Sequence, residues 1–205
     1  LTSITANGVF NGHATRYNNR HIWTNNLDAN YGLFYAYSNN FVPRKTDDRI
    51  DLTSKYGYKL SKKNDLYFTA LFNAKSQFTK AYNYDLPRWD TSSTSRFLSP
   101  LYATLAPGLE YRRGSELSVF FSPVAARFTH VSTYYTNRLP EGAFGVENGQ
   151  TTRFEIGAYM TARYTKELIK PKNDTETKKQ NVSISYRGRL DLYSNYLAKD
   201  NYNEA

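Results

Sequence analysis

Arg44–Leu60 reads RKTDDRIDLTSKYGYKL, and its second half alternates. Ile50, Leu52, Ser54, Tyr56, Tyr58 and Leu60 point one way; Arg49, Asp51, Thr53, Lys55, Gly57 and Lys59 point the other. Successive side chains of a strand project to opposite faces, so this strand has an apolar, tyrosine-rich face and an ionised face. In a soluble sandwich the ionised face meets water and the apolar face a core. In a membrane barrel the apolar face meets lipid and the ionised face lines a polar lumen.

The same period recurs on both sides of this stretch. Upstream, Ile4–Tyr17 is a strand weakened by Gly8 and Gly12, and from His21 a second strand sets Trp23, Leu27, Ala29, Tyr31, Leu33, Tyr35 and Tyr37 on one face. Downstream, Leu66–Phe78 alternates Leu66, Phe68, Ala70, Phe72 and Ala74 against Tyr67, Thr69, Asn73 and Lys75. Phe97–Tyr111 and Leu117–Val131 follow, with Pro100, Pro107 and Pro123 inside them, so both are expected to be bent or irregular. Phe154–Tyr164 opposes Arg153, Glu155 and Arg163 to its apolar set, and Val182–Tyr196 opposes Arg187, Arg189 and Asp191 to Val182, Ile184, Leu190 and Leu192. These eight segments run roughly 11 to 17 residues, whereas soluble strands run about 5 to 6 and a tilted membrane-spanning strand needs about 9 to 11. Length favours the barrel.

The connections agree. Asn18–Arg20, Ser61–Asp65 and Arg112–Ser115 are short, and they interleave with the longer Ser38–Arg44, Lys80–Ser95 and Ser132–Thr152. Short periplasmic turns alternating with long extracellular loops mark an up-and-down transmembrane barrel. Residues 80–95 and 132–152 are therefore expected to be extracellular loops. Residues 166–180 form a long charged connection on the periplasmic side, which breaks the alternation.

Composition permits this reading. The chain has 205 residues, 19 Tyr, 12 Phe, 2 Trp and no Cys, which argues against disulfide stapling and a helical bundle. Mean hydropathy is −0.70, compatible with a barrel because only alternate strand residues face lipid. No run of 18 apolar residues is present, which excludes a transmembrane helix. The sequence opens directly in strand-like residues without a secretory leader, as a mature or truncated product does. The net charge of +9 suits acidic partners such as lipopolysaccharide-type headgroups. Nucleic acid is not the expected partner, because the basic clusters lie in turns and no recognition helix or aromatic-basic RNA motif accompanies them.

With the apolar faces outward, the lumen receives Asp28, Arg49, Asp51, Lys55, Lys59, Lys75, Glu110, Arg153, Glu155, Arg163, Arg187, Arg189 and Asp191. Buried charges must be paired, so Arg49, Asp51, Lys55, Glu155, Arg163, Arg187, Arg189 and Asp191 are expected to form a structural ion-pair network. An ion-selective lining is the sharper alternative. Trp23, Tyr35, Tyr56, Tyr58, Phe68 and Tyr164 are assigned to a lipid-facing aromatic belt, and Tyr37, Tyr82, Tyr111, Tyr134, Tyr135 and Tyr196 suit the same girdles.

Chemistry is sparsely signalled. His13, His21 and His130 have no His, Cys or carboxylate at metal-ligand spacing, so neither metal nor cofactor is expected. No nucleophile-elbow motif selects a serine. His130, beside a long loop, is the one catalytic candidate worth watching, and a loop-end hydrogen bonder is its ordinary alternative. Asp47-Asp48 after Arg44-Lys45 can bind a cation or form a rim ion-pair cluster.

The chain resembles the Bacteroidota outer-membrane family catalogued as domain of unknown function 3078. The resemblance rests on WTNNLDANYGL (Trp23–Leu33) and RKTDDRIDLTSKYGYKLSKK (Arg44–Lys63). SRFLSPLYATLAPGLEYR (Ser95–Arg112), VFFSPVAARFT (Val119–Thr129), GAFGV (Gly142–Val146), RFEIGAYMTARYTKEL (Arg153–Leu168) and NVSISYRGRLDLYSNYL (Asn181–Leu197) extend it. The family's upstream Asn-Trp strand and terminal strands are absent, which implies a portion of a barrel of ten or more strands. The family carries no assigned activity, so no site residue follows from it. Together these readings lead to the expectation of a non-enzymatic, structural or accessory outer-membrane barrel within a larger assembly, secretion or uptake complex. A small-solute channel is the alternative, and an outer-membrane enzyme stands behind both.

Overall fold

The alternation of the opening stretch is realised as a strand over Arg44–Lys59 in the computed structural model, which describes residues 2–37, 42–61, 65–114, 116–169 and 184–196. In chain order the elements are β1 (Ser3–Asn18), β2 (His21–Ala36), β3 (Arg44–Lys59), β4 (Leu66–Ser76), β5 (Ala81–Tyr82), β6 (Ser93–Ser95), β7 (Leu101–Arg113), β8 (Leu117–His130), α1 (Thr133–Thr136), β9 (Thr152–Ile169) and β10 (Ile184–Asn195). The fold is all-β. Among the described residues no helix is long and apolar enough to cross a membrane.

Eight strands form one sheet in the order β1-β2-β3-β4-β7-β8-β9-β10, and every neighbouring pair is antiparallel. Each strand pairs with the next one in this series, the up-and-down pattern expected from the alternating connections. Asn11 and His13 of β1 line the same cavity as Arg189 of β10, so the sheet curls into a half-barrel with a concave polar face. It does not close among the described residues: β1 pairs with β2 alone and β10 with β9 alone.

Local chemistry explains the registers. The β1–β2 hairpin turns on Asn19, whose φ of 51° is the left-handed conformation that Asn tolerates, and it brings Asn18 opposite His21. Pro107 and Pro123 have no N–H to give to the ladder, and the β7–β8 register skips from the pair Leu105 and Ala126 to the pair Leu109 and Phe121. In their place Ser122 Oγ donates to the Pro107 carbonyl at 2.6 Å. Gly108 is required here, since a Cβ would overlap the Phe121 carbonyl oxygen. Across β8 and β9 the register also shifts between Ser122 and Ala125. This bulge exchanges the faces of β8: Ser118 lines the cavity before it and Arg127 after it, two residues that unbroken alternation places on opposite sides.

Several expected boundaries are corrected. The strand expected from Phe97 begins at Leu101, because Leu98 adopts a positive φ and Arg96 pairs back with Ser99, a local turn. The expected loop over residues 80–95 contains β5, β6 and a short helical turn at Trp89–Thr91. That over 132–152 contains α1. The two fold together. Tyr135 Oη lies 3.0 Å from Ser93 Oγ, Arg138 Nη1 donates to the Ser93 carbonyl at 2.7 Å, and Val131, Tyr135 and Val146 form a small buried core. Tyr135 therefore belongs to this core and not to a surface girdle. Of the connection expected over 166–180, residues 166–169 continue β9, and the remainder lies outside the described residues.

Candidate functional site

The concave face encloses a cavity of about 720 Å³ to which all eight strands of the sheet contribute. Lys55, Lys75, Arg112, Arg127, Arg163 and Arg189 reach it, against Asp28, Asp51 and Glu110. Charged side chains on one face of a sheet can coexist only if they are hydrated or compensated, and several of these are compensated by ion pairs.

Its tightest point is Glu110, whose side chain is only 1% exposed. Lys55 Nζ and Ser118 Oγ both donate to one carboxylate oxygen, at 2.6 and 2.8 Å. Arg112 Nη2 and Thr69 Oγ1 donate to the other at 3.0 and 3.2 Å. The donors come from β3, β4, β7 and β8, so one carboxylate ties four adjacent strands together. Beside it Leu71, Ala106, Phe120 and Ala125 form a buried cluster on the inner side, with Tyr159 and Tyr193 packed against it. Lys55 Nζ stands 5.4 Å from the Phe120 ring centre. The inner face thus holds an apolar cluster as well as ion pairs.

The residues expected to form an ion-pair network form separate pairs. Asp51 faces Lys75 at 3.4 Å and accepts from Asn73 Nδ2 at 2.6 Å. Glu155 pairs with Arg153 at 2.7 Å and accepts from Asn195 at 2.8 Å. Arg189 pairs with Asp191, which also accepts from Tyr159 Oη at 3.1 Å. Lys55 goes to Glu110. Among the described residues Arg49, Arg163 and Arg187 enter no ion pair. Two contributors were not legible in the alternation. Arg112, expected in a turn, continues β7, and Arg127 is turned inward by the bulge that Pro123 signals in the sequence.

On the outer face Trp23, Tyr56, Phe68 and Tyr164 are exposed, while Tyr35 and Tyr58 are half-buried. Trp23 Nε1 donates to Ser54 Oγ at 2.9 Å across the β2–β3 pair, where Trp23 lies opposite Tyr56. His21 packs against the rings of Tyr56 and Tyr58.

At the rim, above the last β3–β4 rung of Ile50 and Ser76, Asp48 is saturated. It takes Lys45 Nζ at 2.8 Å, the Phe78 and Thr79 amides at 2.7 and 2.9 Å, and Thr79 Oγ1 at 2.9 Å. Burial alone raises its pKa, but Lys45 and the two amides outweigh burial and hold the carboxyl below its ordinary value. The rim cluster is an anchor for the chain leaving β4, and Asp48 has no oxygen left over for a cation. His130 lies opposite Leu101 and Thr152, with no carboxylate or hydroxyl bonded to its ring among the described residues. No group of three or more His, Cys, Asp or Glu gathers at metal-binding distance among the described residues.

With this geometry in hand, the chain can be set beside known proteins. Residues 2–82 match the family described as "Protein of unknown function (DUF3078)". This bears out the resemblance over β1 to β5, including Trp23–Leu33 and Arg44–Lys63. The later stretches quoted for it lie beyond the matched residues. No curated protein and no solved structure matches the chain significantly. The matched segment supplies the Asp28, Asp51 and Lys55 side of the cavity, and β7 to β10 supply its arginines.

Proposed function

We propose that this chain is a transmembrane β-barrel component of the outer membrane of a Gram-negative bacterium, of Bacteroidota type, completed to ten or more strands. Its role is structural or accessory, as a non-enzymatic subunit of an assembly, secretion or uptake complex. One observation carries the reading: every strand of the sheet presents large apolar side chains outward. Phe10, Trp23, Leu52, Phe72, Leu105, Phe121, Phe154 and Leu190, one from each strand, are between 38% and 58% exposed. Isolated exposed apolar residues are ordinary, but a continuous belt of them faces lipid or a partner. The ion pairs and polar cavity lie on the opposite side, the arrangement a barrel wall requires.

Membrane partitioning tests this. The protein should float with lipid vesicles, resist extraction by carbonate, and migrate differently on gels before and after boiling. A monodisperse, detergent-free monomer that ignores vesicles would sink the reading. Affinity purification from native membranes would name the complex through its co-purifying subunits. The 720 Å³ polar cavity favours a second reading, a small-solute channel. Steady ohmic steps in a planar bilayer would select it over the accessory role.

A further inference from the structure

One row of the inner face runs straight across four strands. Arg112 of β7 lies opposite Ser118 of β8, Ser118 opposite Arg163 of β9, and Arg163 opposite Arg189 of β10. All four side chains line the cavity. Neighbouring strands stand about 4.8 Å apart, so Arg163 and Arg189 leave the sheet side by side on its inner face. Like charges directly opposite each other are unfavourable, and the carboxylates nearby do not resolve the clash. Glu110 is divided between Lys55 and Arg112. Asp191 serves Arg189 and Tyr159. Four cations (Lys55, Arg112, Arg163 and Arg189) therefore face two carboxylates (Glu110 and Asp191), and among the described residues Arg163 is the one of the four that enters no ion pair.

The opposite wall is balanced, with Asp28 and Asp51 set among Lys55 and Lys75. Asp28 of β2 lies opposite Asp51 of β3, with Lys75 of β4 opposite Asp51. The positive excess of the cavity therefore lies on the arginine wall. Guanidinium groups present paired N–H donors matched to oxyanions, and because Ser118 gives its hydroxyl proton to Glu110, the donors open to an anion in this row are those of Arg163 and Arg189.

We propose that the row Arg112–Ser118–Arg163–Arg189 is a binding site for a small oxyanion of the phosphate class, held chiefly between Arg163 and Arg189. This goes beyond the barrel reading and does not depend on which complex the chain serves.

Titration of the purified full chain with inorganic phosphate at low ionic strength tests it. The expected result is saturable binding by calorimetry, weakened at least tenfold in Arg163→Gln and within about threefold of the parent in Arg163→Lys, which keeps the charge. A second readout separates ligand binding from structural damage. Phosphate should raise the thermal midpoint of the parent and leave that of Arg163→Gln unmoved. Without phosphate, Arg163→Gln should be no less stable than the parent, because a like-charge neighbour has been removed. Absence of saturable binding in the parent, or equal binding by Arg163→Gln, overturns the site. If Arg163→Gln fails to fold, Arg163→Lys and Asp28→Asn remain decisive. Asp28→Asn removes opposing negative charge and should bind phosphate at least as tightly as the parent; loss of binding there would place the anion elsewhere.

Discussion

Lys55 and Glu110 meet at 2.6 Å although β4 lies between their strands. Thr69 of that intervening strand completes the contact from below, donating to the same carboxylate at 3.2 Å. A carboxylate at 1% exposure survives as an anion only because Lys55 and Arg112 both reach it. Removing one member of a buried pair strands the others and costs about 3–5 kcal/mol. Lys55 and Arg112 retain some access to water, at 19% and 24%, so Glu110→Gln should cost about 3 kcal/mol, the low end of that range. Denaturant unfolding in detergent measures it. In a double-mutant cycle, Lys55→Met should cost less in the Glu110→Gln background than alone, and strict additivity would show that the pair is not coupled.

Phe120 is fully buried on the inner face, against Leu71, Ala106 and Ala125. Truncating such a ring removes its transfer energy and leaves a void, a loss of about 3–5 kcal/mol for Phe→Ala. Phe121, its neighbour on the outer face and 47% exposed, provides the control: Phe121→Ala should cost markedly less in the same assay. Equal losses at the two positions would mean that the assignment of faces on β8 is wrong.

That assignment also marks how far the fold is legible in the sequence. The eight long strands, their antiparallel order and the polar inner face were legible because a period of two is a strong signal when one face is apolar, as in Ile50–Leu60. The β8 faces were not. Pro123 announced an irregularity, but its consequence, bringing Ser118 and Arg127 to the same cavity, depends on where the extra residue is accommodated between β7 and β9. Residues 80–95 and 132–152 read as loops because polar and glycine-rich segments carry no period. What joins them, Tyr135 and Arg138 meeting Ser93, arises from contacts distant in sequence. Glu110 was readable as a lumen charge, whereas its four donors come from three other strands as well as its own, and only the register reveals them.

Asp48 makes the rim sensitive to acid. Its side chain is buried at 1% exposure, and its pKa is lowered in the folded chain because Lys45 and the Phe78 and Thr79 amides outweigh the opposing effect of burial. A depressed carboxylate contributes stability that is complete above its unfolded pKa, about 4 for Asp, and is lost as pH falls through the lower folded value. The difference in thermal midpoint between the parent and Asp48→Asn should therefore be constant from pH 7 to about 5 and shrink below about 4. A gap that persists unchanged at pH 3 would show that the anchor does not require the carboxylate charge.

The outer face gives the most direct measure of its surroundings. Phe121 sits mid-strand on β8, opposite Leu109 and Met160, whereas Tyr164 lies opposite Leu117, the first residue of β8. In a bilayer, Arg on the lipid-facing side of a barrel costs about 2–4 kcal/mol at the midplane and about 0–1 near the interface. Phe121→Arg should therefore lower stability in lipid vesicles by about 2–4 kcal/mol and Tyr164→Arg by less than about 1. Water imposes no such gradient, since an arginine at a half-exposed apolar position is hydrated equally at either height. Reversible unfolding of the two variants from vesicles supplies the comparison. A graded loss supports a membrane-spanning wall with β8 crossing its centre, whereas equal, small effects at both heights would place this belt against a partner protein or solvent instead of lipid.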